Sequence, residues 1–372
     1  MSIACPYRWN YVVVDLQYEK TNTCCKTDLE EVNLDFEDAF LNNETQFQRR
    51  QEMLDGIKHD ACSQCWKVED NGGISWRLAA KNIPEEIQSR QGVTSNYIDT
   101  LEIIMGNTCD MKCIYCSPQY STQWAIQNYK DKCIDREQYK TLTKDISNDF
   151  MQYFWNWFEQ KKNIIKHLQI KGGEPTIIPE FYTLLDKVVD TNIKLFIITN
   201  LNTPSKQYDL FLEKIKLISK NKQFGINISM DTVGEYAEQI RQGLSWNRFE
   251  NNLHKLYKLA STNKNIQINF ITTMSTKNLD THYKLIDYVF DLYKKYDAIT
   301  LLNFNHVDKP INLNPYNFDN SYNLDKSIEK IKKSIPLIND ELMLQRWNQY
   351  LNYTKDLKKI IDNNKKEVYN TI

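Results

Sequence analysis

The chain has no long apolar run. No stretch of its 372 residues approaches the ~18 apolar residues of a membrane-spanning helix, so such a span is not expected. Charge of either sign is not in excess: the net value is −1, and no overall basic field points to nucleic acid or a membrane. The opening MSIACPYRWNYVVVD lacks the charged lead and apolar core of a secretory signal. A cytoplasmic, reducing location is therefore expected. In that setting the nine cysteines read as metal ligands before they read as disulfides. The five histidines, His59, His167, His254, His282 and His306, have no metal-ligand spacing. His306, just past a strand, is kept as a substrate-contact candidate beside the plainer reading of ordinary hydrogen bonding. No internal repeat is evident.

What is present is a cysteine loop. Cys109, Cys113 and Cys116 form C-x₃-C-x₂-C in GNTCDMKCIYCS. Three thiolates so spaced fit three corners of an iron–sulfur cube and leave one iron open to another ligand. A structural zinc site or a ferredoxin-type cluster is the alternative. Zinc ribbons usually pair C-x₂-C knuckles, and a ferredoxin run needs a fourth nearby Cys.

Residues 1–96 read as a separate cysteine-bearing α+β module. Tyr11–Tyr18 is a strand candidate, followed by a polar turn into Cys24 and Cys25, and Leu29 to Met53 reads as mostly helical. Between Asp28 and Asp70 stand twelve acidic and four basic residues, which marks a solvated face. A loop with Cys62 and Cys65, a short helix near 75–81, and a linker over 83–96 follow. From 97 to 307, strand candidates at 100–105, 167–171, 194–199, 224–230, 266–273 and 299–304 alternate with helical segments such as 181–190, 210–219, 247–259 and 279–294. Six βα units in a row point to a parallel sheet, open or a partial barrel. The first strand lacks the Rossmann glycine fingerprint and runs straight into the cysteine loop. In a β/α barrel that is the carboxyl-end face, where active sites gather. The expected fold is thus α/β, a partial (β/α)6 TIM barrel, with residues 308–372 as a linker and a helical tail that caps it.

The segment CDMKCIYC, with an aromatic before its third Cys, resembles the signature of the radical S-adenosylmethionine (SAM) superfamily, as does the downstream Lys171-Gly-Gly-Glu-Pro175. The likeness extends over roughly Asp99 to Val307. It implies a [4Fe–4S] cluster on Cys109, Cys113 and Cys116 with SAM at the open iron. It also implies that Gly172, Gly173 and Glu174 form the turn whose backbone holds the SAM amino group. Ser229 and Asp231 (in SMD) and Arg241 would serve its carboxylate and ribose region, and Tyr115 and Leu302 its adenine. A guanidinium suits a carboxylate. A one-electron reduction then cleaves SAM to methionine and a 5′-deoxyadenosyl radical, which takes a hydrogen atom from a peptide or small-molecule substrate. The cofactor carries that chemistry, and a flavodoxin or ferredoxin would supply the electron.

Cys5, Cys24 or Cys25, Cys62 and Cys65 could hold Zn²⁺ or a second [4Fe–4S] cluster; spacing does not separate the two. Their order resembles the auxiliary-cluster module called SPASM, or its shorter twitch form, although that module usually follows the barrel. The usual hairpin glycine is replaced by Glu19 or Lys20, and Cys24 fits the module better than Cys25. Cys25 or Cys133, spare in that scheme, could donate hydrogen to a substrate radical or simply act as small apolar residues. The rival reading of the whole chain is a non-enzymatic metal-binding protein, with zinc at the N-terminal cysteines and a structural cluster in the barrel. The aromatic run Tyr153–Phe158 reads as a packing helix.

Overall fold

The computed structural model describes residues 4–70, 73, 75–80, 93–318 and 321–369. Its strands are β1 (Tyr11–Asp15), β2 (Lys20–Asn22), β3 (Glu30–Glu31), β4 (Ile98–Ile104), β5 (Lys112–Cys113), β6 (Ile165–Lys171), β7 (Lys194–Thr199), β8 (Phe224–Ser229), β9 (Arg241–Gln242), β10 (Ile266–Met274) and β11 (Thr300–His306). All six strands expected between 97 and 307 are present as β4, β6, β7, β8, β10 and β11, with helices between them. The chain is an α/β fold whose main strand pairings are mostly parallel. Among the described residues no helix is long and apolar enough to cross a membrane.

The chain divides into two compact units. The first comprises Met1–Gly106, Lys144–Gly172 and Asp190–Leu195; the second comprises Asn107–Thr143, Gly173–Val189 and Phe196–Ile372. In the first unit the strand order is β6-β4-β1-β2-β3. β1 runs parallel to β4, with Val13 opposite Glu102, and antiparallel to β2. The N-terminal strand thus extends the β4–β6 sheet. The reason is legible in YVVVD: all five residues are buried, as a strand covered on both faces requires. Beneath the sheet Leu101, Ile103, Leu168 and Ile170 are wholly buried. The helix Asn148–Lys161 turns Phe150, Phe154, Trp157 and Phe158 inward. Phe40 meets Trp157 edge-on at 5.0 Å, so the aromatic run does pack a core, and it packs the N-terminal segment.

The expectation of helix from Leu29 to Met53 holds only for Glu44–Leu54. Residues 32–43 are turns and coil, because their polar groups serve tertiary partners. Asp38 accepts from Trp157 Nε1 at 2.6 Å and pairs with Lys161. The carbonyl of Leu41 and the amide of Asn42 receive the buried Arg50. The helix expected near 75–81 is Trp76–Ala79, and most of the expected linker, its residues 83–92, lies outside the described residues.

The second unit orders its strands β11-β10-β8-β7, with β8, β10 and β11 parallel. Strand alternation separates two faces. Ile226, Ile228, Ile268, Phe270 and Leu302 share the side that is fully buried. Asn227, Ser229, Asn269 and Ile271 share the other. The C-terminal helices belong to this unit's core. Trp347 Nε1 donates to the Thr300 carbonyl at 3.1 Å. Tyr350 pairs with the buried His282 ring at 2.8 Å, and Leu357 and Ile361 pack with Met274, Leu279 and Leu324.

Candidate active site

The cysteine loop is held by its own neighbours in the second unit. Asn107 donates its amide to the carbonyls of Pro118 and Leu142. Ser121 caps the helix Thr122–Lys130 by accepting from Trp124 N, and its hydroxyl donates to the Met111 carbonyl. Trp124 Nε1 donates to the Cys113 carbonyl at 2.8 Å, and Cys109 N donates to Thr122 Oγ1. These bonds anchor the loop, and Cys109, Cys113 and Cys116 are half-buried and free of disulfides. Burial pushes all three thiols upward, Cys113 to about 11.

A two-residue ladder then brings in the arginine. β5 and β9 pair antiparallel with Cys113 opposite Arg241, and Ile114 N donates to the Ile240 carbonyl. The Arg241 guanidinium meets Asp231 through Nε at 2.9 Å and Nη2 at 3.2 Å, while Nη1 faces Cys113 Sγ at 3.8 Å. Asp231, wholly buried, also accepts from Tyr115 Oη at 2.5 Å and Thr273 N at 2.9 Å. The Tyr115 ring lies 5.7 Å from the guanidinium carbon, within cation–π reach. Three residues named from sequence, Tyr115, Asp231 and Arg241, are therefore one network. Arg241's charge is spent on Asp231, and its remaining N–H is directed at a cysteine sulfur.

The GGEP turn is set by close approach. Gly173 has φ +47, and a Cβ there would sit 2.2 Å from the Thr108 carbonyl oxygen, next to Cys109. Glu174 N donates to that same carbonyl at 2.8 Å. Gly172 (φ +94), in the first unit, leaves no room for a Cβ beside Ile104 and the Gly106 carbonyl. The Glu174 side chain turns inward. Its carboxylate accepts from Thr176 N and Oγ1, Thr199 Oγ1 and Asn200 N, all within 3.1 Å. Its pKa is nonetheless pushed up to about 7, because burial outweighs those donors. A folded-state pKa above the unfolded value contributes stability that is complete below about pH 4.5 and is lost as pH rises through about 7, roughly 3 kcal/mol at most. Urea unfolding should show stability falling between pH 5 and pH 8, with the slope largely removed in Glu174→Gln. An unchanged slope in that variant would assign it elsewhere.

One residue of the loop escaped the sequence reading. Asp110, inside the cysteine motif, has its two carboxylate oxygens bound by the amides of Asn200 and Asn202, at 2.9 and 2.8 Å. The only available signals were TNLN after β7 and the acid directly after Cys109. With Asp110 so occupied, the loop's available metal donors are its three thiols, a set suited to a cluster. Leu302 is not brought together with the others. Register places it on the Phe270 face, opposite Ser229. Ser229 is half-buried beside the pair Asn269 Nδ2 to Asn227 Oδ1, 2.6 Å apart. His306 is exposed and pairs with Asp308. Cys133 lies exposed just after the helix Thr122–Lys130.

In the first unit Cys5, Cys24, Cys62 and Cys65 line one cavity with Arg8 and Arg77. Cys25 instead packs against Tyr11, Val13 and Ile104. The hairpin position expected to want glycine is Glu19, which adopts φ +56. His59 Nδ1 accepts from Ala61 N and caps the turn that buries Cys62. Among the described residues no three His, Cys, Asp or Glu side chains are grouped to hold a single metal ion.

In comparison with known proteins, the model of the Radical SAM superfamily matches residues 103–289. No curated protein matches the chain. Among solved structures, Streptococcus suis SuiB is 18% identical, with 85% of this chain and 66% of that one covered and a TM-score of 0.44. SuiB bound to S-adenosylmethionine is similar at 15% identity, 81% and 59% coverage and TM-score 0.43. An archaeal TYW1 is similar at 15% identity, 57% and 60% coverage and TM-score 0.28. The chain thus spans less than two-thirds of the length of each of these. The matched segment runs from the end of β4 through the cysteine loop, the GGEP turn and the Asp231–Arg241 pair, and with half of its length under that one description the chain belongs to the radical SAM superfamily.

Proposed function

We propose that this chain is an enzyme that binds a [4Fe–4S] cluster through Cys109, Cys113 and Cys116, cleaves SAM reductively, and abstracts hydrogen from a peptide or small-molecule substrate. Membership of the superfamily implies the enzyme class, the cluster and SAM. Bound together, these supply a 5′-deoxyadenosyl radical. The observation that carries the reading is the Cys113–Arg241–Asp231–Tyr115 network. Asp231 neutralises Arg241 and fixes its plane, so that one N–H is directed at a thiolate ligand, where a charge-assisted hydrogen bond is strongest. Trp124 and Ser121 anchor the loop backbone through the Cys113 and Met111 carbonyls. Gly173 draws the GGEP backbone against Thr108, beside the first ligand. Ser229 and the Asn227–Asn269 pair offer neutral hydrogen-bonding groups on one sheet face, which suits a polar, uncharged part of the substrate.

The second part of the proposal is a further [4Fe–4S] cluster at Cys5, Cys24, Cys62 and Cys65, a twitch-like arrangement placed before the barrel. Four thiols lining one cavity support a metal group there, and a [4Fe–4S] cluster is the form proposed, with zinc as its rival. Peptides are the first substrate class to test, with a flavodoxin or ferredoxin as electron donor. Anaerobic reconstitution with iron and sulfide should give about eight irons per chain and slow conversion of SAM to 5′-deoxyadenosine under a strong reductant. About one zinc, no iron and no cleavage would instead establish the non-enzymatic metal-binding protein.

A further inference from the structure

Beside the N-terminal cysteines lies a buried positive charge with no carboxylate partner among the described residues. Arg8, on the short helix Tyr7–Asn10, is 1% exposed. Its Nη1 donates to Asn22 Oδ1 at 3.0 Å and Thr23 Oγ1 at 3.3 Å, and its Nη2 donates to Cys62 Sγ at 3.3 Å. Other arginines of this unit are paired: Arg49 with Glu30 and Arg77 with Glu69. Among the described residues Arg8 has no such ion pair.

A guanidinium does not deprotonate in a protein. Burying one without a counter-charge costs several kcal/mol. Asn22 and Thr23 satisfy its N–H groups but bring no charge. Cys62 is the one contact that can become an anion, and four thiolates round a core of about +2 leave a net charge near −2. The adjacent Arg50 deepens the need. It is fully buried and spends its donors on the carbonyls of Arg8, Leu41 and Val93 and on Asn42.

We propose that Arg8 is the counter-charge and positioning residue of the group held at Cys5, Cys24, Cys62 and Cys65, through a hydrogen bond to the Cys62 thiolate that also makes the group easier to reduce. This rests on the second-cluster reading above. A hydrogen bond to a cluster sulfur, like a nearby positive charge, stabilises the more negative, reduced state.

The test uses the full-length chain with Cys109, Cys113 and Cys116 changed to Ala, so that only the N-terminal cluster remains. It is reconstituted anaerobically, and iron content and an EPR-monitored redox titration are recorded. Arg8→Met should keep about four irons and show a more negative midpoint potential. Arg8→Lys, which keeps the charge, should stay near the parent value and serves equally if Arg8→Met does not fold. If Arg8→Met retains iron at an unchanged potential, or Arg8→Lys shifts as far as Arg8→Met, the role of Arg8 is overturned while the cluster stands. If the parent chain binds no iron at all, the second-cluster reading falls and the inference falls with it.

Discussion

Changing Cys109, Cys113 and Cys116 together to Ala should abolish SAM cleavage and lower the iron content from about eight to about four per chain. The loop's backbone is anchored by groups other than the thiols, through Asn107, Ser121, Thr122 and Trp124. The variant should therefore fold, and its circular dichroism and thermal midpoint should stay close to those of the parent. Removing half-buried thiols whose contacts in the metal-free chain are long, such as Arg241 Nη1 to Cys113 Sγ at 3.8 Å, costs little. Loss of activity with retained fold and retained N-terminal iron would assign the chemistry to this loop. Persistent 5′-deoxyadenosine formation would remove the proposed function, and loss of all iron would remove its two-cluster form.

Changing Asp231 to Asn should be the most damaging single substitution in the site. Asp231 is fully buried and is the ion-pair partner of Arg241. Removing its charge leaves a buried guanidinium uncompensated, which costs about 3–5 kcal/mol where such a pair is broken from one side. It also weakens the acceptor of Tyr115 Oη and Thr273 N. Chemical denaturation should show the loss directly. The double variant Asp231→Leu with Arg241→Met should regain much of that stability, because apolar replacement of a buried pair is often neutral or stabilising. It should not regain SAM cleavage, since no donor then faces Cys113. A double variant that cleaves SAM normally would make the pair a packing element alone.

The strands and the cysteine loop were legible because each rests on a local rule. Runs such as KLFIIT and IQINFITT alternate with amphipathic helices and can bury themselves only in a parallel, two-sided sheet. The three cysteines lie within eight residues of one another, so no folding is needed to see them as a set. Where sequence reading failed, the deciding contact was distant. Residues 32–43 have the composition of a helix but spend their polar groups on Trp157, Lys161 and Arg50. Leu302, which the resemblance implies as an adenine contact, shares the Phe270 face and not that of Ser229, and only the register reveals this.

Sequence alone determined the superfamily resemblance and the identity of the thiols proposed for the first cluster, since a motif records which atoms are offered. Tertiary structure decided how those atoms are charged and aimed. It pairs Arg241 with Asp231, ten residues away, and through the β5–β9 ladder with Cys113. It turns Cys24 toward the cavity and Cys25 away from it. It sets Arg8 against Cys62, fifty-four positions along the chain. Electrostatic partners are chosen by distance and burial, and neither is a property of the chain before it folds.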